Sequence, residues 1–333
     1  MANILITGGT GFIGIPLVKK LQGLGHRIKL LIRENSNTQP FQNLSNIEYI
    51  IGDVREIETL TQAANNVDII YHLAANTQIW AKDKSIYDEI NVRGSENLSK
   101  VASKKNILLI FISSFFAIGP YNCGEEAPNF ETYQRDIDFF MDYERSKCES
   151  TKVVQKYKSE GLKSIIFYPG FVYGPGDLNF YGKLTIDLIS GNLLGIPKTS
   201  IAKFSMAYID DIIEPMIRVI GRNDLIGNEY FLGGETVSTI DYFNLIAEVA
   251  GVKKPRKFPF SIALLYGRLC EIRAKMSKKR IPYITRPLMK MAKYDWAYSS
   301  QKAIDDLDYK ITPFKEGLEK TVEWYNEYIK KQK

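Results

Sequence analysis

Tyr143-Glu144-Arg145-Ser146-Lys147 sets a tyrosine and a lysine four residues apart, so on a helix both side chains share one face at neighbouring turns. A free phenol, with a pKa near ~10, is a poor acid–base group at neutral pH, but an ammonium beside it favours the phenolate. A lone Y-x-x-x-K is common. Here Ile110-Phe111-Ile112-Ser113-Ser114 reads as a strand ending in two hydroxyls. At the carboxyl edge of a parallel sheet Ser114 either polarises a substrate carbonyl or merely caps the strand end. Taken together, Ser114 orienting an oxygen, Tyr143 giving or taking a proton, and Lys147 tuning Tyr143 and holding a nicotinamide ribose describe a hydride-transfer site that needs no metal. Only two histidines, His26 and His72, are present, which argues against a Ser-His-Asp triad or a multi-histidine metal site.

A hydride carrier needs a cradle, and Thr7-Gly8-Gly9-Thr10-Gly11-Phe12-Ile13-Gly14 follows an apolar strand and opens a helix. The early glycines let the backbone turn and approach a pyrophosphate, whose charge meets free N–H groups and the helix dipole; Gly14 lets helix and strand pack closely. The second strand ends Ile32-Arg33-Glu34, about 20 residues on, where an acid reads a ribose 2′-hydroxyl and an arginine accepts a 2′-phosphate. Arg33 favours NADP(H), while Glu34 keeps NAD(H) possible. Asp53 in Gly52-Asp53-Val54 either bonds the adenine edge or caps the next helix.

These groups need a scaffold. Segments 3–7, 27–32, 47–51, 68–73, 107–113 and 164–168 read as strands, alternating with helix-compatible stretches at 13–24, 55–64, 85–104 and 144–160. Near-continuous apolar strands separated by helices predict an α/β fold: a Rossmann-type, doubly wound parallel sheet with a smaller, mostly C-terminal substrate-binding domain. We place the dinucleotide-binding domain at 1–172, with 205–232 returning to it, and the substrate-binding region at 173–204 and 233–333. Leu318, Val322, Tyr325 and Ile329 fall at helical spacing, which predicts a docked amphipathic helix over 314–330.

At 333 residues, 45% hydrophobic and 25% charged, the chain is ordinary globular material with room for a sizeable core. A net charge of +6 is too modest to imply nucleic acid, and the basic runs Lys253-Lys254-Pro255-Arg256-Lys257 and Lys275-Met276-Ser277-Lys278-Lys279-Arg280 read first as solvated faces. Three scattered cysteines, Cys123, Cys148 and Cys270, indicate neither zinc nor disulfides. With no basic stretch ahead of an apolar one at the N-terminus and no run approaching ~20 apolar residues, a cytoplasmic protein is expected. The apolar stretch 258–266 reads as core first and pocket lining second; over 258–269, between the basic runs, a docked helix with a solvated charged face is the default and a helix lying on a membrane surface the alternative.

In order along the chain, Thr7–Gly14, Gly52-Asp53-Val54, His72-Leu73-Ala74-Ala75, Asn91-Val92-Arg93-Gly94, Ser113-Ser114, Tyr143 with Lys147, and Tyr173-Gly174-Pro175-Gly176 resemble the extended short-chain dehydrogenase/reductase family, the NAD-dependent epimerase/dehydratases. The resemblance implies that Leu73, Ala74 and Ala75 line the cofactor and that Asn91 supports the site. It also implies that backbone from Pro169 to Val172 meets the nicotinamide and that the protein is a homodimer joined through helices near 85–104 and 144–160. Thr77, Phe115, Phe171 and Tyr208 are the candidate substrate contacts. Where nucleotide-sugar enzymes of the family carry an Asn this chain has Phe171, and Lys293-Tyr294-Asp295-Trp296 stands where their late nucleotide-gripping pair is sought. With Arg33, these departures look more like the dihydroflavonol 4-reductase and 3-beta-hydroxysteroid dehydrogenase branch. That implies reduction of a ketone, or oxidation of a secondary alcohol, on an apolar small molecule. A nucleotide-sugar 4-epimerase or dehydratase is the alternative, and a non-catalytic dinucleotide sensor a third.

Overall fold

The computed structural model describes residues 1–198, 201–276 and 284–332, so residues 277–280 of the second basic run lie outside the described residues. Strands β1 (Asn3–Thr7), β2 (Arg27–Ile32), β3 (Ile47–Ile51), β4 (Ile69–His72), β5 (Leu108–Ile112), β6 (Ser164–Pro169) and β7 (Glu229–Leu232) form one sheet in the order β7-β6-β5-β4-β1-β2-β3. Every pairing in it is parallel. Strands β1, β4, β5 and β6 bury nearly every side chain because helices cover both faces, which is why their sequences are continuously apolar. The strand order reverses between β1 and β4, where Thr7 lies opposite His72, and the crevice at such a point is where open α/β sheets bind ligands.

The expected strands and helices form with shifts of one or two residues, and β7 adds a seventh strand. Its four residues are too few to show a period, yet Tyr230, Phe231 and Leu232 are buried against β6 after the helix Ile209–Arg218. The expected helix 85–104 forms as Ser85–Tyr87, a π-helical turn Asp88–Arg93, and Gly94–Lys105. Such turns recur at functional sites because the wider turn re-aims side chains.

Beyond β6, Phe171–Tyr173 pairs in parallel with Lys203–Tyr208, which pairs antiparallel with Thr236–Ser238. The helix Phe314–Gln332 docks there through buried Leu318, Val322 and Tyr325, with Ile329 half-buried at its end, and the Tyr325 hydroxyl donates to the Asp177 carbonyl at 2.9 Å. One expectation is refined. The apolar stretch 258–269 is core only in part: Ala263 joins the core and Phe258, Phe260 and Leu264 pack half-buried against it, while the helix Phe260–Met276 lies on the surface and fully buries only Ala263, Gly267, Glu271 and Ala274.

Candidate active site

At the end of β1 the backbone turns so tightly that side chains are excluded. Gly8 holds φ of +74°, and a Cβ there would stand 2.6 Å from the Ala74 nitrogen. A Cβ on Gly14 would stand 2.3 Å from the Gly8 oxygen, and on Gly9 2.7 Å from Leu30 Cδ2. The Gly11 N–H donates to the Gly8 carbonyl at 3.0 Å, closing the turn. The helix that follows, Gly14–Gly23, has neither a side-chain cap nor an acidic residue in its first turn, so its N–H groups and positive dipole end suit an anion. Thr10, Phe12 and Ile13 on one side, with Leu73, Ala74 and Ala75 on the other, are half-buried around the turn. This cradle fits a dinucleotide pyrophosphate.

At the end of β2, Arg33 is exposed and forms no ion pair among the described residues, although its charge helps hold the Asp53 carboxyl low. The larger influence on Asp53 is Arg55, whose Nε and Nη2 reach Asp53 Oδ1 at 2.9 Å and Oδ2 at 3.0 Å. Asp53 is therefore not the helix cap considered from sequence: the helix begins at Ile57, after Glu56. Its carboxylate instead closes a local turn by accepting the Arg55 N–H at 3.0 Å. Val54 is buried under Gly94, and its carbonyl accepts Asn97 Nδ2 at 3.1 Å.

A buried chain of hydrogen bonds runs from the glycine turn to the catalytic helix. Thr7 Oγ1 meets His72 Nδ1 at 2.7 Å, His72 Nε2 meets Ser95 Oγ at 3.1 Å, and the Ser95 hydroxyl donates to the Asn91 carbonyl at 2.6 Å. Asn91, in the π-helical turn, accepts the Asn76 N–H at 2.7 Å and donates from Nδ2 to Ser146 Oγ at 2.8 Å; Ser146 donates to the Tyr143 carbonyl at 2.8 Å. Burial, followed by the nearby Lys147 charge, pushes His72 down to about 3, so it works as a neutral connector. Asn91 thus supports the site through Asn76 and Ser146. Sequence motifs mark Asn91 but carry no signal for the other two.

Tyr143 stands in the first turn of the helix Asp142–Ser159, whose start is fixed by Glu144. The buried Glu144 carboxylate accepts the N–H groups of Phe140 at 2.8 Å and Met141 at 3.2 Å and pairs with half-buried Arg135 at 2.5 Å. Ser114 is extended, with φ of −165°, and its hydroxyl accepts the Phe116 N–H at 3.3 Å, so the capping role and the site role coincide. Burial pushes Tyr143 up to about 12, against which the Ser114 hydrogen bond pulls downward. Lys147 Nζ is buried, donates to the Ile112 carbonyl at 2.9 Å and lies 5.1 Å from the centre of the Phe111 ring; burial pushes it down to about 7. Lys147 shares a helix face with Tyr143, and its ammonium is held at the strand end by the Ile112 carbonyl, while Ser114 is the polar group that lowers the phenol pKa.

The opposite side of Tyr143 is aromatic. Phe116 packs edge-on to Tyr143 at 5.6 Å and to Trp296 at 5.2 Å between ring centres, and stacks on Phe115 at 4.2 Å. Phe140 borders Trp296 at 6.4 Å, and Phe171 reaches Phe115 at 6.4 Å. Phe115 is buried in this cluster with Trp296, and Phe171, Phe116 and Phe140 are half-buried at its edge; Phe140 and Trp296, distant in sequence, are additions. Tyr208 is corrected. Its ring is buried beneath the C-terminal helix, 5.5 Å from the Tyr173 ring and tight against Gly317, because it ends the strand Lys203–Tyr208 on that side. Thr77 is exposed next to Asn76. Pro169 pairs with Leu232 at the end of β6, and Val172 pairs with Ala207. Asp295 is no ligand grip: it accepts the Lys203 N–H at 2.8 Å within the fold.

A family model described as the NAD dependent epimerase/dehydratase family matches residues 4–233. Among relatives, a putative dihydroflavonol 4-reductase of Synechocystis is 25% identical, covering 98% of this chain and 96% of its own. A sterol-4-alpha-carboxylate 3-dehydrogenase (decarboxylating) of Candida albicans is 24% identical over 98% of each. Among solved structures, the UDP-glucose 4-epimerase of Thermotoga maritima with UDP-glucose superposes with a TM-score of 0.78 at 20% identity, covering 98% of this chain and 99% of that one.

Proposed function

The chain belongs to the NAD dependent epimerase/dehydratase family, and from that premise we propose that it is an NADPH-dependent reductase of a ketone, or dehydrogenase of the matching secondary alcohol, on an apolar small molecule. The observation that carries this reading is the aromatic cluster beside Tyr143, where half-buried Phe116 and Phe140 form the accessible surface and buried Phe115 and Trp296 back them. A sugar ring needs polar partners there, since a hydroxyl buried without a hydrogen bond costs about 1–3 kcal/mol, whereas a flat hydrocarbon gains from the same surface. The reductase and sterol dehydrogenase names among the relatives agree with it.

A bound nicotinamide supplies or accepts the hydride. The chain supplies the rest. Ser114 donates its hydroxyl to the carbonyl oxygen and fixes it beside Tyr143. Tyr143, held near 12, is fully protonated at neutral pH and is therefore set to give its proton to the developing alkoxide. Lys147, one helical turn away, carries its charge below about 7 and offsets the phenolate left behind. In the oxidative direction Tyr143 must first lose its proton, so that direction speeds up as pH rises. Exposed, unpaired Arg33 supports a 2′-phosphate and hence NADPH.

Titration by nicotinamide fluorescence tests both parts. NADPH is expected to bind more tightly than NADH, with Arg33→Asp reversing the order, and NADPH is expected to be consumed with hydrophobic ketones. Retained NAD with saturable UDP-sugar binding replaces this reading with the epimerase one.

A further inference from the structure

The helix Phe260–Met276 is apolar on two opposite sides. Its inner side uses small residues, Ala263, Gly267 and Ala274, to lie close on the short helix Arg286–Met291, and a Cβ on Gly267 would stand 3.1 Å from the Arg286 nitrogen. Glu271, its one acidic residue, is turned inward, accepting the Arg286 N–H at 2.7 Å and Nε at 2.9 Å. Its outer side carries Ile262, Leu265, Tyr266, Leu269, Ile272 and Met276, exposed by 53%, 60%, 39%, 51%, 45% and 84%. At 100° per residue these six fall in one continuous stripe opposite the buried one. Exposed Arg268 and Lys275 border it on one side, and exposed Arg273 falls within its other edge, between Ile262 and Tyr266. The chain enters the helix through exposed Lys253, Lys254, Arg256 and Lys257, three of which line a groove of about 430 Å³ with Leu193 and Leu194.

A contiguous apolar stripe of this size on a surface marks a contact. The charges decide with what. Every exposed ionic group on the helix is positive, so a second copy of the chain would bring the same sign against itself, which disfavours a self-complementary interface. An anionic lipid surface offers both an apolar layer and the opposite charge. We propose that the outer face of Phe260–Met276 docks in the plane of an anionic phospholipid bilayer, its apolar stripe sunk to the headgroup–acyl boundary and Arg268, Arg273 and Lys275 at the phosphates. This rests on the surface alone and stands whether or not the substrate reading does.

Flotation of the full-length protein with phosphatidylcholine vesicles, with and without about 30% phosphatidylglycerol, tests it at low salt and at about 0.5 M salt. Binding is expected only with the anionic lipid and is expected to weaken at high salt. Leu265→Gln combined with Leu269→Gln is expected to lower vesicle affinity at least about tenfold, and Arg268→Gln, Arg273→Gln and Lys275→Gln together also by more than about tenfold. All five side chains are exposed, so the thermal midpoint and NADPH affinity stay at wild-type values and certify the fold. Absence of vesicle binding, or binding that ignores both sets of substitutions, overturns the proposal. So does a wild-type dimer that the leucine pair converts to monomer without any lipid effect.

Discussion

Toward the glycine turn, Tyr143 is backed by main chain and short polar groups: Gly8 against Ala74, and Asn91 against Asn76 and Ser146. Away from it the same tyrosine meets large rings, with Phe116 edge-on and Trp296 and Phe140 behind Phe116. The first region tolerates almost no change, because an added Cβ meets backbone and a lost hydrogen bond leaves a buried polar group bare. The second is apolar packing, where a change in shape or polarity alters what fits before it alters the fold. The chemistry thus sits at a seam between a rigid polar half and an adaptable aromatic half, which lets one mechanism serve different substrates.

A matched pair of substitutions should break the molecule differently on the two sides. Gly8→Val forces a β-branched residue to φ of +74° with its Cβ 2.6 Å from the Ala74 nitrogen. It should weaken NADPH binding more than about 100-fold and destabilise the fold by about 1–3 kcal/mol, read by fluorescence titration and thermal melting. Phe116→Asn, in contrast, should raise KM for a hydrophobic ketone about tenfold while leaving the NADPH Kd within about twofold. Equal effects on cofactor binding from both variants would erase the distinction between the halves.

Lys147 sharpens the comparison because it is a charge kept in the buried half. Its pKa of about 7, against an ordinary 10.5, means that the unfolded chain binds more protons between those values, so its contribution makes stability rise with pH across that window. Lys147→Met should remove this slope and raise stability by about 1–3 kcal/mol at pH 7 and below, while turnover falls sharply. Melting curves at pH 6.5 and 9.5 check the sign.

The polar half was legible in the sequence because its constraints are local. Glycines must sit where backbone approaches backbone, and Tyr143 and Lys147 share a helix face whatever lies around them. Strands β1, β4, β5 and β6 were legible because burial on both faces writes a continuous apolar run; β7 was not, being four residues long. The aromatic half was hidden. Phe116, Phe140 and Trp296 meet only through the fold, and each alone is indistinguishable from core. Tyr208 was mistaken for a site residue for the same reason: a local pattern cannot say which side of a sheet edge faces the ligand. Arg55 escaped notice because an exposed arginine two residues from Asp53 has no periodic signature, and the hold of the Ile112 carbonyl on Lys147 was hidden because it is a tertiary contact.

The central claim is that Tyr143 moves the proton at a site whose cofactor cradle is built independently of it. The most direct measurement is the initial rate of NADPH oxidation with the best hydrophobic ketone, for the wild type and Tyr143→Phe, alongside NADPH titration of both. The account predicts a loss of about a thousandfold in kcat with the NADPH Kd unchanged. Turnover by Tyr143→Phe within a few-fold of wild type would contradict it.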